Sequence, residues 1–204
     1  MKVLSLISSG IDSPVASHLI SQHYKIIAIH FSHQPFVTSH QEEIAKQLCK
    51  KLNIKKLIII PFGIIQKEII KSCNPRYRCV ICRRFMFRIA EKIAKKQGCK
   101  YLLTGENIGQ VCSQTLPNLI NTNKVTHLMI LRPLLCSDKQ EIINIAKKIG
   151  TYGLSIQSKG CCGLVPRFPV TKSDIEIIKK EEKQLKIKDL IIRAIKNAKI
   201  EDIS

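Results

Sequence analysis

The sequence is poor in acid. Its 204 residues hold 15 Asp and Glu against 34 Lys and Arg, a formal charge of +19. Lysine enrichment from low G+C content or a thermophilic habit brings Glu with it, and here the acids have not kept pace. The deficit favours a polyanionic partner, nucleic acid first, bound in a salt-dependent way. No apolar run approaches 18 residues, which excludes a membrane-spanning helix and leaves no membrane partner expected. The opening Met1-Lys2-Val3-Leu4-Ser5-Leu6-Ile7 is too short for a secretory leader, lacks a small-residue cleavage site and runs into a turn. It reads as a buried first strand of a cytoplasmic protein. Internal repeats and low-complexity tracts are absent. Nine cysteines without a secretory signal do not form a disulfide framework. Some, such as Cys49, read as small core hydrophobes.

With 45% hydrophobic residues the chain can bury a sizeable core. Apolar, β-branched runs at 3–7, 25–31, 56–61, 100–103 and 128–132 predict strands. They alternate with helical patterns at 14–23, 41–52 and 82–97, and with a helix reaching 149 that Ser137-Asp138-Lys139 caps. Such alternation predicts an α/β fold with a parallel sheet covered on both faces. Residues 1–172 read as one domain. Residues 173–204 read as a charged helical extension with Ser173 as N-cap, packed on that domain as a hairpin or reaching a partner.

Between the first strand and first helix lies Ser8-Ser9-Gly10-Ile11-Asp12-Ser13. Small residues let backbone N–H groups approach an anion, and the helix N-terminus adds partial positive charge. The hydroxyls of Ser8, Ser9 and Ser13 can donate to phosphate oxygens. Asp12 suits such a loop only if Mg²⁺ lies between it and the phosphates. The Gly-Lys-Ser/Thr ending of the Walker loop is missing. An N-capping turn is the plainer alternative for this segment. The loop resembles that of the PP-loop ATP pyrophosphatases, usually Ser-Gly-Gly-x-Asp-Ser, with Ser9 replacing the first glycine. A positive φ there would strain a serine.

Downstream, Cys82-Arg83-Arg84-Phe85-Met86-Phe87-Arg88, Thr104-Gly105-Glu106-Asn107-Ile108-Gly109-Gln110-Val111 and Ser113-Gln114-Thr115-Leu116 follow in order. Leu131-Arg132-Pro133-Leu134, Asp138-Lys139-Gln140-Glu141-Ile142-Ile143 and Ile149-Gly150-Thr151 complete the run. Read chemically, Gly105 allows backbone to approach a ligand at the sheet's C-terminal edge. Gln114 offers a donor and an acceptor to a ribose or base. Arg83 and Arg84 offer permanent charge to phosphates or a polynucleotide. Lys139 reaches a phosphate or is simply solvated.

From Leu4 to about Thr171 the chain is similar to the catalytic domain of the ThiI family of tRNA 4-thiouridine synthases. That resemblance implies an ATP pyrophosphatase that adenylates a uridine carbonyl in tRNA so that sulfur replaces the oxygen. It implies nucleotide contacts at Leu6, Ile7, His30, Phe31, Arg83, Gly105 and Gln114, beside Ser8, Ser9, Gly10 and Ser13 of the loop. It makes Asp12 and Cys162 catalytic, with Cys79 and Cys82 brought beside Cys162. For His30 a core histidine is the competing reading.

A single Cys79-Val80-Ile81-Cys82 is shared by zinc, redox and iron–sulfur sites. With Cys162, three readings stay open: a cluster with one open iron, a persulfide on Cys162 resolved by Cys79 or Cys82, or structural zinc. The cluster leads, and Cys161 can replace Cys162. Cys73, Cys99, Cys112 and Cys136 carry no spacing argument. Members of the family place ferredoxin-like and THUMP segments before this domain. A THUMP-like tRNA-binding partner, a sulfur donor and a homodimer are therefore expected. Two alternatives remain: the same chemistry on a small carbonyl compound, and a non-catalytic RNA-binding or sulfur-carrier subunit.

Overall fold

The computed structural model describes residues 1–109, 111–158 and 164–203. Strands β1 (Lys2–Leu6), β2 (Lys25–Ser32), β3 (Lys56–Pro61), β4 (Tyr101–Leu103), β5 (Met129–Leu131) and β6 (Lys199–Asp202) form one sheet ordered β5-β4-β1-β2-β3-β6. The first five run parallel, in register Lys2↔Lys25 and Val3↔Tyr101 around β1, as the alternating pattern predicts. β6 is antiparallel to β3, pairing Lys56 with Asp202.

Strand side chains alternate between the faces. Ile27, Ile29, Phe31, Ile58 and Ile60 enter one core. Ile26, Ala28, Leu57 and Ile59 enter the other. The first core is covered by α3 (Gly63–Ser72), α4 (Arg78–Gln97) and α9 (Ile187–Lys196), which supply Ile65, Phe85 and Ile191. The second is covered by α1 (Asp12–Ser21), α2 (His40–Lys51) and α6 (Lys139–Lys148), through Val15, Leu48 and Ile142. α5 (Leu116–Asn123), α7 (Tyr152–Ser155) and α8 (Ile175–Glu182) complete the helices of the described residues. Asp138 caps α6 with a capping box: its carboxylate accepts from Gln140 N at 2.7 Å, and Glu141 accepts from Asp138 N.

Successive strands step outward from β1 through β2 to β3, whereas β4 and β5 lie on its other side. The chain's direction of winding reverses between β1 and β4. A crevice opens at the strands' C-terminal ends at such a point.

Three expectations need correction. α4 begins at Arg78, not 82, because a 3₁₀ turn at Pro75–Tyr77, capped by the Asn74 side chain on Arg76 N, leads straight into it. Cys79 and Cys82 therefore ride on the helix instead of preceding it. Asp174, not Ser173, caps α8, accepting from Glu176 N at 2.7 Å. Ser173 is buried against α5, where its N–H donates to Asn118 Oδ1 and its carbonyl accepts from Asn121. Finally, the charged C-terminal stretch is not wholly helical, since β6 joins the sheet. Among the described residues no helix is long and apolar enough to cross a membrane.

Candidate functional site

At the crevice, β1 ends in Leu6 and hands over to the serine loop. The loop is braced from within: Ser13 Oγ accepts from Ser8 N at 2.8 Å and lies 3.0 Å from Ser8 Oγ, while Gly10 N donates to Ser8 Oγ. Two outside contacts hold it: Ser9 Oγ lies 2.8 Å from Ser158 Oγ, and Ser155 Oγ donates to Gly10 O. Ser9 does not have a positive φ; Asn53 is the non-glycine residue that does among the described ones. Serine is therefore unstrained in the position where the resemblance puts glycine.

A cavity of about 380 Å³ opens over this loop, within the usual range for a small-molecule site. Leu6, Ile7, Ser8, Ser9 and Gly10 line one wall, and His30 and Phe31 from the end of β2 line the next. Cys79, Cys82 and Arg83 face it from the first turns of α4, and Gln114 closes another side. Most of the predicted residues thus meet in one space. Asp12, Ser13 and Gly105 do not line it.

Gly105 packs directly against the start of α1. A Cβ there would lie 2.5 Å from Ser13 N and 2.6 Å from Asp12 C. Its bare backbone lets the end of β4 press on the start of α1, so it supports the loop from behind. Asp12, the first residue of α1, pairs with Lys139 Nζ at 2.6 Å. The capping box of α6 brings that lysine to the loop. Gln114 Oε1 accepts from Asn107 N at 2.9 Å, which fixes its amide at the cavity edge.

His30 is 4% exposed and donates from Nδ1 to Ile7 O at 3.1 Å. Burial lowers its pKa to about 4, against the opposing pull of the Ile7 carbonyl and with a further push from His33. The ring is therefore neutral at pH 7 and ties β2 to the loop. His33, also lowered by burial, bonds Gln66 Oε1 at 2.9 Å.

Glu106 carries an electrostatic function that sequence reasoning missed. Its side chain is 1% exposed, accepts from Arg83 at 2.8 Å and Arg132 at 2.6 Å, and receives the Thr104 hydroxyl at 3.0 Å. Burial pushes its pKa up, but the two guanidiniums outweigh it and hold the carboxyl below its usual range. Arg83, further steadied over the Phe87 ring, is thereby fixed at the cavity wall. The available signal was an acid three residues beyond a buried strand in an acid-poor chain.

Arg84 is a correction. Expected to meet phosphates, it is 4% exposed and bidentate to Glu182 at 2.8 and 2.9 Å, with its third bond to Asn121 O. Arg88 binds the same carboxylate. Burial raises the Glu182 pKa, and the two arginines more than reverse this. The pair fastens α8 to α4.

Cys79 and Cys82, one helical turn apart, are half-buried. Cys161 and Cys162 lie outside the described residues. Among the described residues no group of three His, Cys, Asp or Glu side chains could hold a metal ion. Cys49 and Cys73 are raised by burial to about 12 and about 11, as inert core thiols are. Cys99 is also buried, whereas Cys136 is exposed.

A serine phosphate loop at the switch point of a parallel sheet, opening on a cavity with paired thiols, defines a nucleotide-binding α/β domain of the PP-loop type. Residues 1–187 match the family model described as "Thiamine biosynthesis protein (ThiI)", and the chain belongs to that family. It is 41% identical to a probable tRNA sulfurtransferase of Moorella thermoacetica, over 97% of this chain and 52% of that protein. A probable tRNA sulfurtransferase of Finegoldia magna is 42% identical over 97% and 52%. The chain thus spans about half the length of the curated relatives it matches. A crystal structure of a 4-thiouridine synthetase–RNA complex with bound ATP is similar at TM-score 0.94 and 37% identity, covering 100% of this chain and 55% of that one. The U34-tRNA thiolase NcsA of Methanococcus maripaludis, solved with its 4Fe-4S cluster, shares the fold at TM-score 0.55 and 18% identity, over 96% and 70%.

Proposed function

We propose that the chain carries out ATP-dependent thiolation of tRNA, adenylating a uridine carbonyl oxygen and replacing it with sulfur. The observation that carries this reading is the single cavity shared by the phosphate loop and the Cys79–Cys82 pair. An activating nucleotide and a sulfur-handling group need to reach one carbon atom, and this space serves both. The relatives named as tRNA sulfurtransferases, and the similar synthetase with RNA and ATP, support the choice of substrates.

The residues fit ATP. Leu6 and Ile7 present strand-end backbone and apolar surface to an adenine, beside Phe31 and the neutral His30 ring. Ser8, Ser9 and Gly10 present the loop's backbone to the phosphates at a helix N-terminus. Asp12 would hold Mg²⁺, which supplies neutralisation of the pyrophosphate charge; Lys139 adds a cation at the same end. In the first step the uridine oxygen attacks the α-phosphorus. A P–O bond forms as the bond to pyrophosphate breaks. Arg83, locked by Glu106, puts a fixed guanidinium at the wall of that space, where it needs no reorganisation as charge moves. Gln114 orients ribose or base. In the second step a sulfur nucleophile attacks the activated carbon and AMP leaves.

Cys79 and Cys82 fit a thiolate-bound group: both line the cavity, at the N-terminal end of a helix that favours negative charge. With Cys162 they would hold an iron–sulfur cluster, which supplies an open iron for sulfide. The test is anaerobic purification with iron and zinc analysis of wild type and Cys79→Ala, and nucleoside mass spectrometry of treated tRNA. About four irons per chain, lost in the variant together with thiolation, support the cluster. Stoichiometric zinc retained by an active protein rules it out. An active protein with neither metal assigns sulfur to a persulfide on Cys162.

A further inference from the structure

The C-terminal helices carry a cationic face that the nucleotide site does not use. Between residues 179 and 199 the chain places eight Lys and Arg against three acids. Two of those acids face inward: Glu182 is consumed by Arg84 and Arg88, and Glu181 accepts from Asn74 N at 2.6 Å. Asp189 is left as the exposed acid of the run. Around the groove four lysines face the single exposed acid Asp189, so the excess of positive charge is local to this face. Lys179, Lys183, Lys186 and Lys188 are exposed around one shallow groove between α8 and α9. Lys179 pairs with Glu176, whereas Lys183, Lys186 and Lys188 form no ion pair among the described residues.

The position of this face singles it out. Ile178 on the inner side of α8 packs with Val80 of α4 and Val170, flanked by Tyr77 and Ile175. The Glu181 contact to Asn74 pins α8 to the turn that begins α4. That same beginning carries Arg78 and Cys79 into the cavity wall. The cationic groove therefore adjoins the helix that forms the cavity mouth. A second lysine cluster, at Lys2, Lys25, Lys55 and Lys56, lies at the N-terminal ends of the strands, away from the crevice at their C-terminal ends.

We propose that the groove of α8 and α9, centred on Lys183, Lys186 and Lys188, seats the phosphodiester backbone of the RNA whose base enters the cavity. This rests on the functional reading above. A nucleotide inserted at the mouth leaves its neighbours' phosphates on whichever surface borders it. Lysines act there as point charges that neutralise phosphate and release counterions without reading sequence.

The test measures tRNA binding by the purified chain between about 50 and about 200 mM salt, where counterion release dominates. The variant is Lys183→Gln/Lys186→Gln/Lys188→Gln, and the control is Lys2→Gln/Lys25→Gln/Lys55→Gln, an equal change of charge. Loss of up to three phosphate contacts lowers the slope of log K against log salt by roughly 2 to 3 and weakens binding at least about tenfold. The control keeps the wild-type slope, and both variants keep the wild-type thermal transition. Equal effects in both variants, or an effect in the control alone, overturn the proposal. So does a wild type without salt-dependent tRNA binding. Binding to phosphatidylserine vesicles that the triple variant weakens, with tRNA binding untouched, assigns the groove to an anionic membrane instead and also overturns it. Thiolation with an unchanged slope sinks the groove alone, whereas a wild type that binds no ATP sinks the functional reading.

Discussion

Replacing Glu106 with glutamine removes one charge and keeps the side chain's shape. The carboxylate is 1% exposed, with guanidinium nitrogens at 2.6 and 2.8 Å. Opposite charges 4 Å apart attract by about 4 kcal/mol at an effective dielectric of 20, and desolvation of the three groups offsets much of this. What the variant measures is the cost of leaving Arg83 and Arg132 facing a neutral amide, about 3–5 kcal/mol for a broken buried pair. Glutamine retains one acceptor, so the lower end applies. Against a total stability of about 5–15 kcal/mol this is a large fraction, and it lowers Tm by roughly 6–12 °C. The pH dependence follows from linkage. A carboxyl held below its usual value of 4.5 contributes in full above that value. Its contribution is lost as pH falls through the depressed folded value. Urea melts of both proteins should therefore show a constant gap between pH 6 and 8 that closes only in acid. Arg83→Met in the glutamine background should recover part of the loss, since it removes the uncompensated charge. A gap under about 0.5 kcal/mol at pH 7.5, or one that widens on acidification, would refute the reasoning.

Gly105→Ala forces a methyl to within 2.5 Å of Ser13 N. The loop must shift, and calorimetry should show ATP affinity reduced about tenfold or more while the protein still folds. His30 titrates at 6.5 unfolded and at about 4 folded, so its stabilisation is complete above pH 6.5 and lost as pH falls through about 4. That amounts to about 3 kcal/mol. Its NMR ring shifts should still read neutral at pH 5.5, and His30→Gln should flatten stability over that range. Lys139→Ala removes the cation beside Asp12. Pyrophosphate release should fall several-fold, whereas the urea midpoint moves little because the pair is partly exposed.

Much of this architecture is legible in the residues. Runs such as Lys25–Ser32 and Lys56–Pro61 alternate between two apolar faces, and only a sheet covered on both sides satisfies that pattern. The turn at Ser8–Ser13 was legible as the junction of the first strand and first helix, because small residues there break both patterns. Glu106 was not. Its partners stand 23 and 26 residues away, and ion pairs at such separations leave no local periodicity. β6 was hidden for a related reason: Lys-Ile-Glu-Asp has little strand preference and becomes a strand by pairing with β3. The start of α4 was misjudged because Arg and Cys were read as a lead-in. The Asn74-Pro75 turn fixes the helix four residues earlier.

The Glu182 clasp also orders events in time. Arg84 and Arg88 leave the ribosome nearly a hundred residues before the carboxylate that neutralises them. Until it arrives, the face of α4 that turns inward carries two unmatched positive charges, and closing the core over them is unfavourable. A nascent chain can pair β1, β2 and β3 early, but α4 cannot settle until α8 has been made. Docking of α8 on α4 thereby comes late in synthesis, and a chain interrupted before residue 182 would leave α4 half-docked.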